Sequence, residues 1–350
     1  MICTCTIVPE SVLKRFADDP ELSVELRQHL HNALSLDAYF RTLRETAAQL
    51  TLDAARVNQL AGFAAAPVAP GPAITVYDCR HSTTLPGAPV PGPSSSTDAT
   101  AKRAFTETTA VAQFYQSAFG RNSVDNHAMT LMSSIHFGVR YNNAFWNGTQ
   151  MTYGDGDGAV FVDFTLGNDV IGHELTHGVT QHTLGLNYAN EPGGLNESIS
   201  DVFGSMFRQW QAHQDVNHGD WLIGHDILGP TAKAKGFTCL RDMASPAASH
   251  CLAPQVTHFS QYHGGMDPHV SSGIGNLAFY KIAKAVGGNS WEKVGKVWYS
   301  AMTGGVGTVP RPNMRMLEFA NATRAAAKKL YPSDAALGAA VDGGWKAVGL

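Results

Sequence analysis

The sequence predicts an α+β fold in which a half that mixes strands with helices precedes a mainly helical half. A buried central helix is predicted between the halves, because residues from Asp169 to about Thr183 keep a continuous helical pattern. Helical spacing returns around 274–286 and 314–330. Before the central helix, a half-buried strand is predicted where apolar residues alternate with polar or small ones: Ile135, Phe137, Val139 and Tyr141.

Size and composition are those of a globular protein. The 350 residues suffice for two ordinary domains, and 44% of them are apolar while 15% are charged. A formal charge of −4 gives no basic field for phosphate backbones. No apolar run reaches the roughly 18 residues that a membrane-spanning helix needs. We therefore expect a monomer that binds neither nucleic acid nor membranes.

Charge and proline content divide the chain into segments. Residues 1–60 are charged and show helical spacing, which predicts two or three short helices. The string GFAAAPVAPGP that follows at 62–72 is uncharged and typical of an exposed connector. We therefore expect a separate segment at 1–60, a cleavable linker at 61–73, an amino-terminal lobe at 74–182 and a carboxyl-terminal lobe at 183–350.

A metal site is indicated by a His-Glu-x-x-His string on the predicted central helix. Its histidines, His173 and His177, lie one turn apart on the same face, so both imidazoles can reach one ion. Glu174 projects beside them, where a carboxylate can take a proton from water on that ion. The pattern is typical of zinc-dependent hydrolysis.

The third metal ligand is predicted in the next helix. Catalytic zinc usually has three protein ligands and one open position, and Glu197 can complete the set. Asp201 follows one turn later and can accept the spare N–H of a ligand histidine. The alternative is a helix with a solvated acidic stripe, although the segment around Val202 is largely apolar. We expect one catalytic Zn²⁺.

Six strings in the same order resemble the thermolysin-like zinc metalloprotease family. They are YNNAFWNG at 141–148, YGDGDG at 153–158, DVIGHELTHGVT at 169–180, NYANEPGGLNESISDVFG at 187–204, LRDMASP at 240–246 and HVSSGIGN at 269–276. The resemblance implies a two-lobed catalytic domain, with a β-rich amino-terminal lobe, a central zinc-binding helix and a mainly helical carboxyl-terminal lobe. It implies a metalloendopeptidase that acts on protein or peptide substrates.

The resemblance also implies the roles of individual catalytic residues. Glu174 is then the general base, and Tyr188 and His269 stabilise the oxyanion that forms on the scissile carbonyl. Asp267, two residues before His269, is expected to orient its imidazole.

Substrate binding is implied by the same family pattern. Asn143 and Ala144 correspond to the strand edge that pairs with an extended substrate, and Arg241 to the arginine that holds a substrate carbonyl. The first primed subsite would be lined by four apolar side chains: Phe161, Phe164, Val170 and Leu240. We therefore expect cleavage before bulky residues such as Leu or Phe, because burying such a side chain contributes roughly 1.5–3 kcal/mol.

Calcium binding is expected to differ from the family pattern. Asp169 and Asp220 fall where family members place calcium ligands, but Arg208 and His225 stand where carboxylates are expected. Because a fixed positive charge repels Ca²⁺, we predict that the double calcium site is lost or reduced to one weak ion.

The amino-terminal segment resembles the short pro-segment of the protealysin-like branch, which carries a proline-rich motif. The counterpart here is IVPESVL at 7–13, which includes Pro9, so residues 1–60 are predicted to inhibit the enzyme as an intramolecular pro-segment. Cys3 or Cys5 can supply a thiolate to the open position of the zinc. The alternative is that both are ordinary free cysteines.

The remaining cysteines and the amino terminus bear on the cellular compartment. Residues 1–9 lack the basic start and apolar core of a secretory signal, so we expect an intracellular precursor or non-classical secretion, with action outside the cell. Five cysteines fit no disulfide framework, and Cys239 and Cys251 can be a bonded pair or separate thiols.

Two other functions compete with that of an active peptidase. The first is a catalytically silent binding protein that keeps the fold and the zinc, against which the presence of Glu174, Tyr188 and His269 argues. The second is a purely structural zinc protein. Structural sites usually close the shell with four Cys or His ligands, and no fourth ligand is evident near Glu197.

Overall fold

The fold is described by a computed structural model that covers residues 6–58, 71–305 and 309–350, with the backbone alone at 43–58. The strands are β1 (Ile74–Asp78), β2 (Ala88–Pro89), β3 (Leu131–Ile135), β4 (Ala144–Trp146), β5 (Met151–Tyr153), β6 (Leu222–Ile223) and β7 (Arg241–Asp242). The helices are α1 (Glu10–Ala17), α2 (Val24–Asn58), α3 (Ala99–Phe119), α4 (Asn168–Gln181), α5 (Asn190–Gln211), α6 (Pro230–Ala234), α7 (Pro268–Ser271), α8 (Gly273–Val286), α9 (Lys293–Met302), α10 (Met316–Leu330) and α11 (Ala335–Lys346). Within the described ranges, none of these helices combines the length and apolarity that crossing a membrane requires.

A five-stranded mixed sheet forms the β-rich lobe of the described chain, in the order β2-β1-β3-β5-β4. Strands β1, β3 and β5 run parallel, while β2 and β4 are antiparallel to their neighbours. Helix α3 packs on this sheet. It begins after Asp98, whose carboxylate accepts from two backbone N–H groups, and ends at Gly120 in the left-handed conformation. Strand β4 lies at one edge of the sheet, so its outer side can pair with another chain segment.

The predicted strand across 135–141 is wrong beyond Ile135, where β3 ends. His136, Gly138 and Arg140 have φ values of 50°, 65° and 49°, which no strand accommodates. The segment buries Ile135, Phe137 and Tyr141 but leaves Val139 63% exposed. The alternation therefore indicated burial correctly at three of its four apolar positions, and it indicated the wrong backbone conformation.

Two helices form before residue 59, as predicted, but the second is not short. Helix α2 runs unbroken for 35 residues, from Val24 to Asn58, and packs on α1. Its sequence contains neither proline nor glycine, so nothing in it interrupts the helix once it begins. Most of the predicted linker lies outside the described residues. Strand β1 begins at Ile74, the first residue of the predicted amino-terminal lobe.

The central pair of helices, α4 and α5, lies side by side at unusually close range. A Cβ added to Gly204 would lie 2.7 Å from the backbone oxygen of Asp169, and one added to Gly172 would lie 3.1 Å from the Cα of Gly204. Both glycines are therefore required by the packing of the two backbones. This close approach brings the acidic residues of α5 against the histidines of α4.

Helices α8 to α11 form the core of the carboxyl-terminal lobe. The rings of Trp298 and Trp345 stack with centroids 5.6 Å apart, and Phe319 meets both edge-on. Trp345 donates its indole N–H to Thr323 Oγ1 at 2.8 Å, which satisfies the polar atom that its burial removes from water. Helix α8 packs on α5 and α7, and α10 contacts α5.

His136 joins the start of α3 to the turn after β5. Its Nδ1 lies 2.7 Å from Asp155 Oδ1 and its Nε2 lies 2.9 Å from Asp98 Oδ2. The hydrogen bond with Asp155, followed by that with Asp98, outweighs burial and raises the pKa of His136 to about 9. The imidazolium is therefore the form that these contacts stabilise.

We expect the stabilising contribution of His136 to be lost at alkaline pH. Its contribution, about 1–3 kcal/mol for this pKa shift, is fully present below the unfolded pKa of about 6.5 and is lost as pH rises through about 9. Urea unfolding of the wild type and His136→Asn at about pH 6 and about pH 10 measures it. A stability difference that is equal at both pH values would contradict the expectation.

Candidate active site

Three predicted ligand side chains meet between α4 and α5. His173 Nε2 and His177 Nε2 are 2.9 Å apart, and Glu197 places Oε2 3.4 Å from the first and Oε1 3.5 Å from the second. All three side chains are fully buried. One potential ligand atom from each lies within 4.8 Å of the others, and two imidazoles with one carboxylate are a common donor set for zinc. The residues fit one zinc ion with a position left open.

A second layer of polar groups orients the two histidines. His173 Nδ1 lies 2.9 Å from Asp201 Oδ1, as the sequence predicted. His177 Nδ1 lies 2.9 Å from Asn196 Oδ1 and 3.0 Å from Ser200 Oγ. With Nδ1 engaged, each ring presents Nε2 to the metal position. The role of Asn196 was missed, although its place directly before Glu197 could have indicated it.

Asp201 is held by a buried network. Arg241 donates to both of its oxygens, with Nε 2.8 Å from Oδ2 and Nη2 2.7 Å from Oδ1, and Asn276 Nδ2 donates to Oδ2 at 2.8 Å. Burial alone would raise the pKa of Asp201. The charges of Arg241 and His173 outweigh burial and lower this pKa to about 2. Asp201 is therefore a permanent carboxylate behind His173.

Tyr188 and His269 lie on the open side of the metal position. The Tyr188 hydroxyl donates to Glu197 Oε1 at 2.5 Å and lies 3.3 Å from His269 Nε2. His269 Nδ1 lies 2.9 Å from Asp267 Oδ1, a distance at which Asp267 can orient the imidazole. Burial opposes the charged form of His269, but the carboxylates of Glu197 and Asp267 outweigh it and raise the pKa of His269. Glu174 is fully buried on α4, next in sequence to His173.

The first described residues of the chain lie across this site. The carbonyl of Thr6 accepts from His269 Nε2 at 2.7 Å. The N–H of Ile7 donates to the carbonyl of Ala144 at 3.1 Å, and the carbonyl of Ile7 accepts from Arg241 Nη1 at 2.9 Å. The side chain of Ile7 is fully buried. The peptide bond between Thr6 and Ile7 is therefore held at both ends by predicted site residues.

Val8 continues this extended segment along the edge of the sheet. Its N–H donates to Asn143 Oδ1 at 2.9 Å, and its carbonyl accepts from Asn143 Nδ2 at 3.1 Å. Asn143 Nδ2 also donates to Asp37 Oδ2 of α2 at 2.9 Å. Pro9 then ends the extended stretch, because its carbonyl accepts from the first turn of α1. The other predicted inhibitory residues, Cys3 and Cys5, lie outside the described residues.

Comparison with known proteins decides the family. A profile described as "Thermolysin metallopeptidase, catalytic domain" matches residues 68–181, and one described as "Thermolysin metallopeptidase, alpha-helical domain" matches residues 184–350. The chain belongs to the thermolysin metallopeptidase family. It is therefore a metalloendopeptidase with the two-lobed α+β fold of that family, and zinc is the metal that the family implies.

Relatives place this thermolysin-like enzyme near the protealysin-like branch. An extracellular metalloprotease of Pectobacterium carotovorum subsp. carotovorum is 40% identical over 241 residues, which are 65% of this chain and 68% of the relative. Protease PrtS of Photorhabdus sp. is 37% identical over 288 residues, covering 79% and 76% of the two chains. The solved precursor of protealysin from Serratia proteamaculans matches with a TM-score of 0.80 and 32% identity over 99% of both chains.

The predicted apolar subsite of this thermolysin-like enzyme is fully buried in the described structure. Phe161 and Phe164 have ring centroids 5.5 Å apart, Val170 lies in the first turn of α4, and Leu240 directly precedes Arg241. All four side chains have no solvent exposure. Of the four, Leu240 alone adjoins in sequence a residue that holds Ile7, and the lining of the subsite stays a prediction.

The predicted calcium positions are occupied by a cluster centred on an arginine. Arg208 Nη1 lies 2.7 Å from Asp226 Oδ2 and 3.6 Å from Asp169 Oδ1, and its Nε lies 3.5 Å from Asp220 Oδ2. His225 Nε2 adds a contact of 2.9 Å to Asp226 Oδ1. The guanidinium thus lies among the carboxylates that a cation would need.

Proposed function

We propose that this chain is the zymogen of a zinc endopeptidase, and that residues 6–8 inhibit it by lying in the cleft as a substrate does. The observation that carries the proposal is the hydrogen bonding of Thr6, Ile7 and Val8. Their backbone groups engage His269, Ala144, Arg241 and Asn143 at 2.7–3.1 Å, the residues that the family pattern assigns to substrate. The match to a precursor of protealysin over 99% of both chains supports it.

The bound segment defines a register for substrates. The carbonyl of Thr6 faces His269, where the oxyanion of a cleaved bond would form, so Thr6 takes the place before the scissile bond. Ile7 takes the first primed position, with its side chain buried. The segment forms an antiparallel bridge between Thr6 and Phe145, so it adds a strand to the edge strand β4. Peptide substrates would bind in the same direction.

Each residue then has a role in hydrolysis. Glu174 takes a proton from the attacking water and returns it to the leaving nitrogen. Tyr188 and His269 donate hydrogen bonds to the carbonyl oxygen as it gains negative charge. Zinc, when bound by His173, His177 and Glu197, supplies Lewis-acid polarisation of the carbonyl and lowers the pKa of water.

Specificity for bulky apolar residues is proposed on the same register. On the proposed register, the buried β-branched side chain of Ile7 takes the first primed position, and burial of a leucine or phenylalanine there would contribute roughly 1.5–3 kcal/mol. The side chains proposed to line the position are Phe161, Phe164, Val170 and Leu240. A carboxylate would lose hydration there without gaining a partner.

The zymogen proposal is tested by cutting the linker. We expect the intact chain to digest casein slowly and the rate to rise once mass spectrometry shows a cut within 61–73. Peptide products should begin with Leu, Phe or Ile. Equal rates before and after the cut would overturn the inhibitory role, whereas loss of all casein digestion would overturn the endopeptidase itself.

We propose that Arg208 replaces the double calcium site. Its guanidinium lies among Asp169, Asp220 and Asp226 and offsets part of their negative charge, so Ca²⁺ would have to displace a group that is largely buried. Added Ca²⁺ should therefore leave the Tm unchanged. An ion present at about 100 times its Kd would add about 2.7 kcal/mol, so a rise of several degrees would contradict this.

A further inference from the structure

A second group of metal-binding side chains lies outside the active site, on the segments that flank Arg241. Cys239 and Cys251 are buried, and the side chain of His250 is 38% exposed. One potential ligand atom from each of the three lies within 4.8 Å of the others. We propose that Cys239, His250 and Cys251 bind a second zinc ion that is distinct from the catalytic one.

The backbone holds these ligands in register. The N–H of Thr238 donates to the carbonyl of His250 at 3.0 Å, and the N–H of Leu252 donates to the carbonyl of Cys239 at 3.0 Å. Cys239 and Cys251 thus form a parallel bridge between two neighbouring segments. The ligands are positioned by backbone hydrogen bonds, so little conformational freedom remains to be lost when an ion binds.

The distance between the sulfurs fits a shared ion. Cys239 Sγ and Cys251 Sγ are 3.8 Å apart. Two thiolates at about 2.3 Å from one tetrahedral zinc lie about 3.8 Å from each other. A disulfide would bring the sulfurs to about 2.05 Å. Both thiols are separate in the structure, which keeps two sulfur ligands available.

His250 has the polar support of a ligand histidine. Its Nε2 lies 3.2 Å from Asp242 Oδ2, and the other oxygen of Asp242 accepts from the N–H groups of Ala244 and Ser245 at 2.8 and 3.1 Å. When Nε2 carries the proton toward Asp242, Nδ1 is the nitrogen with a lone pair for the metal. The partial exposure of His250 gives an ion an entry path and leaves room for water as the fourth ligand.

Ligand chemistry favours zinc over calcium or magnesium. Two thiolates and an imidazole are soft donors, whereas Ca²⁺ and Mg²⁺ take oxygen ligands. The ion would join Cys239 to a segment twelve residues later in the chain. Leu240 and Arg241 directly follow Cys239 in the chain. The ion would therefore hold in place the strand whose arginine binds Asp201 and Ile7.

Zinc stoichiometry tests the site in the full chain carrying Cys3→Ser and Cys5→Ser, which removes the amino-terminal thiols as a source of sulfur ligands. Mass spectrometry of the metal in reduced protein should give about two zinc ions per chain. His250→Ala and Cys251→Ser should each lower it to about one. Cys79→Ser, at a buried thiol elsewhere in the sheet lobe, should leave it at about two.

Zinc-edge X-ray absorption separates this site from the catalytic one. The parent should show a sulfur shell at about 2.3 Å, which His250→Ala and Cys251→Ser should each remove together with the second zinc ion. A sulfur shell with only one zinc per chain would still support the site, while counting against the catalytic zinc. No sulfur shell, or a cross-linked Cys239–Cys251 peptide in protein purified without reductant, would overturn it. If Cys251→Ser does not fold, His250→Ala still tests the site, because it removes a partly exposed side chain. Circular dichroism verifies that this variant is folded.

Discussion

Glu174→Gln is expected to lower kcat/KM for a peptide substrate by about 10²- to 10⁴-fold, the range of a general base. The amide keeps the size of the side chain but cannot accept a proton from water. Glu174 is fully buried beside His173, so its loss should act on the chemistry and leave zinc content and Tm unchanged. The assay uses chains cut at an engineered site within 61–73, so that removal of the pro-segment does not depend on the activity of the variant.

A matched control separates this effect from loss of negative charge in general. Glu292→Gln makes the same chemical change at an exposed position before α9 and should retain full activity. Unchanged kcat/KM in Glu174→Gln, with zinc content equal to wild type, would assign the hydrolysis to another residue. A loss of zinc in Glu174→Gln would instead make the residue part of the metal site.

Ile7→Asp is expected to raise the activity of the uncut chain by about 10- to 100-fold. Ile7 is fully buried in the cleft, and losing its apolar burial removes roughly 1.5–3 kcal/mol from the closed state. The new carboxylate would also have to be desolvated beside the carboxylate-rich metal site. The measurement is the initial rate on a quenched peptide, with intact mass verified before and after the assay.

The control for Ile7→Asp lies on the same pro-segment. Val24→Asp introduces the same charge at a residue that is 74% exposed at the start of α2, and it should leave the uncut chain inhibited. After the linker is cut and the pro-segment removed, all three chains should have equal activity. An uncut Ile7→Asp chain no more active than wild type would show that other contacts, including those of α2, suffice for inhibition.

The metal site was largely predictable because its geometry is local. Spacing of four residues on a helix places His173 and His177 on one face whatever surrounds them. Glu197 was predicted from its place in the next helix, but its approach to the histidines depends on how closely α4 and α5 pack. Gly172 and Gly204 permit that approach, and periodicity does not encode it.

Backbone conformation and register were less predictable. The alternation at 135–141 indicated burial correctly at Ile135, Phe137 and Tyr141 but not at Val139, which is exposed. Positive φ values at His136 and Arg140 end the strand, and no apolar pattern reports such values. The sequence drew attention to Pro9 in the pro-segment, whereas Thr6, Ile7 and Val8 make the hydrogen bonds in the cleft. These bonds use backbone groups, which every residue possesses, so sequence alone could not set their register.

Anomalous diffraction at the zinc edge, from crystals of the full-length Glu174→Gln chain, measures the metal site most directly. We expect a peak bonded to His173 Nε2, His177 Nε2 and the carboxylate of Glu197, at about 2.0–2.2 Å from each. The carbonyl of Thr6 should lie on its open side, against His269. No peak between these three side chains, or a Glu197 turned away from the peak, would contradict the assignment of this chain's catalytic site.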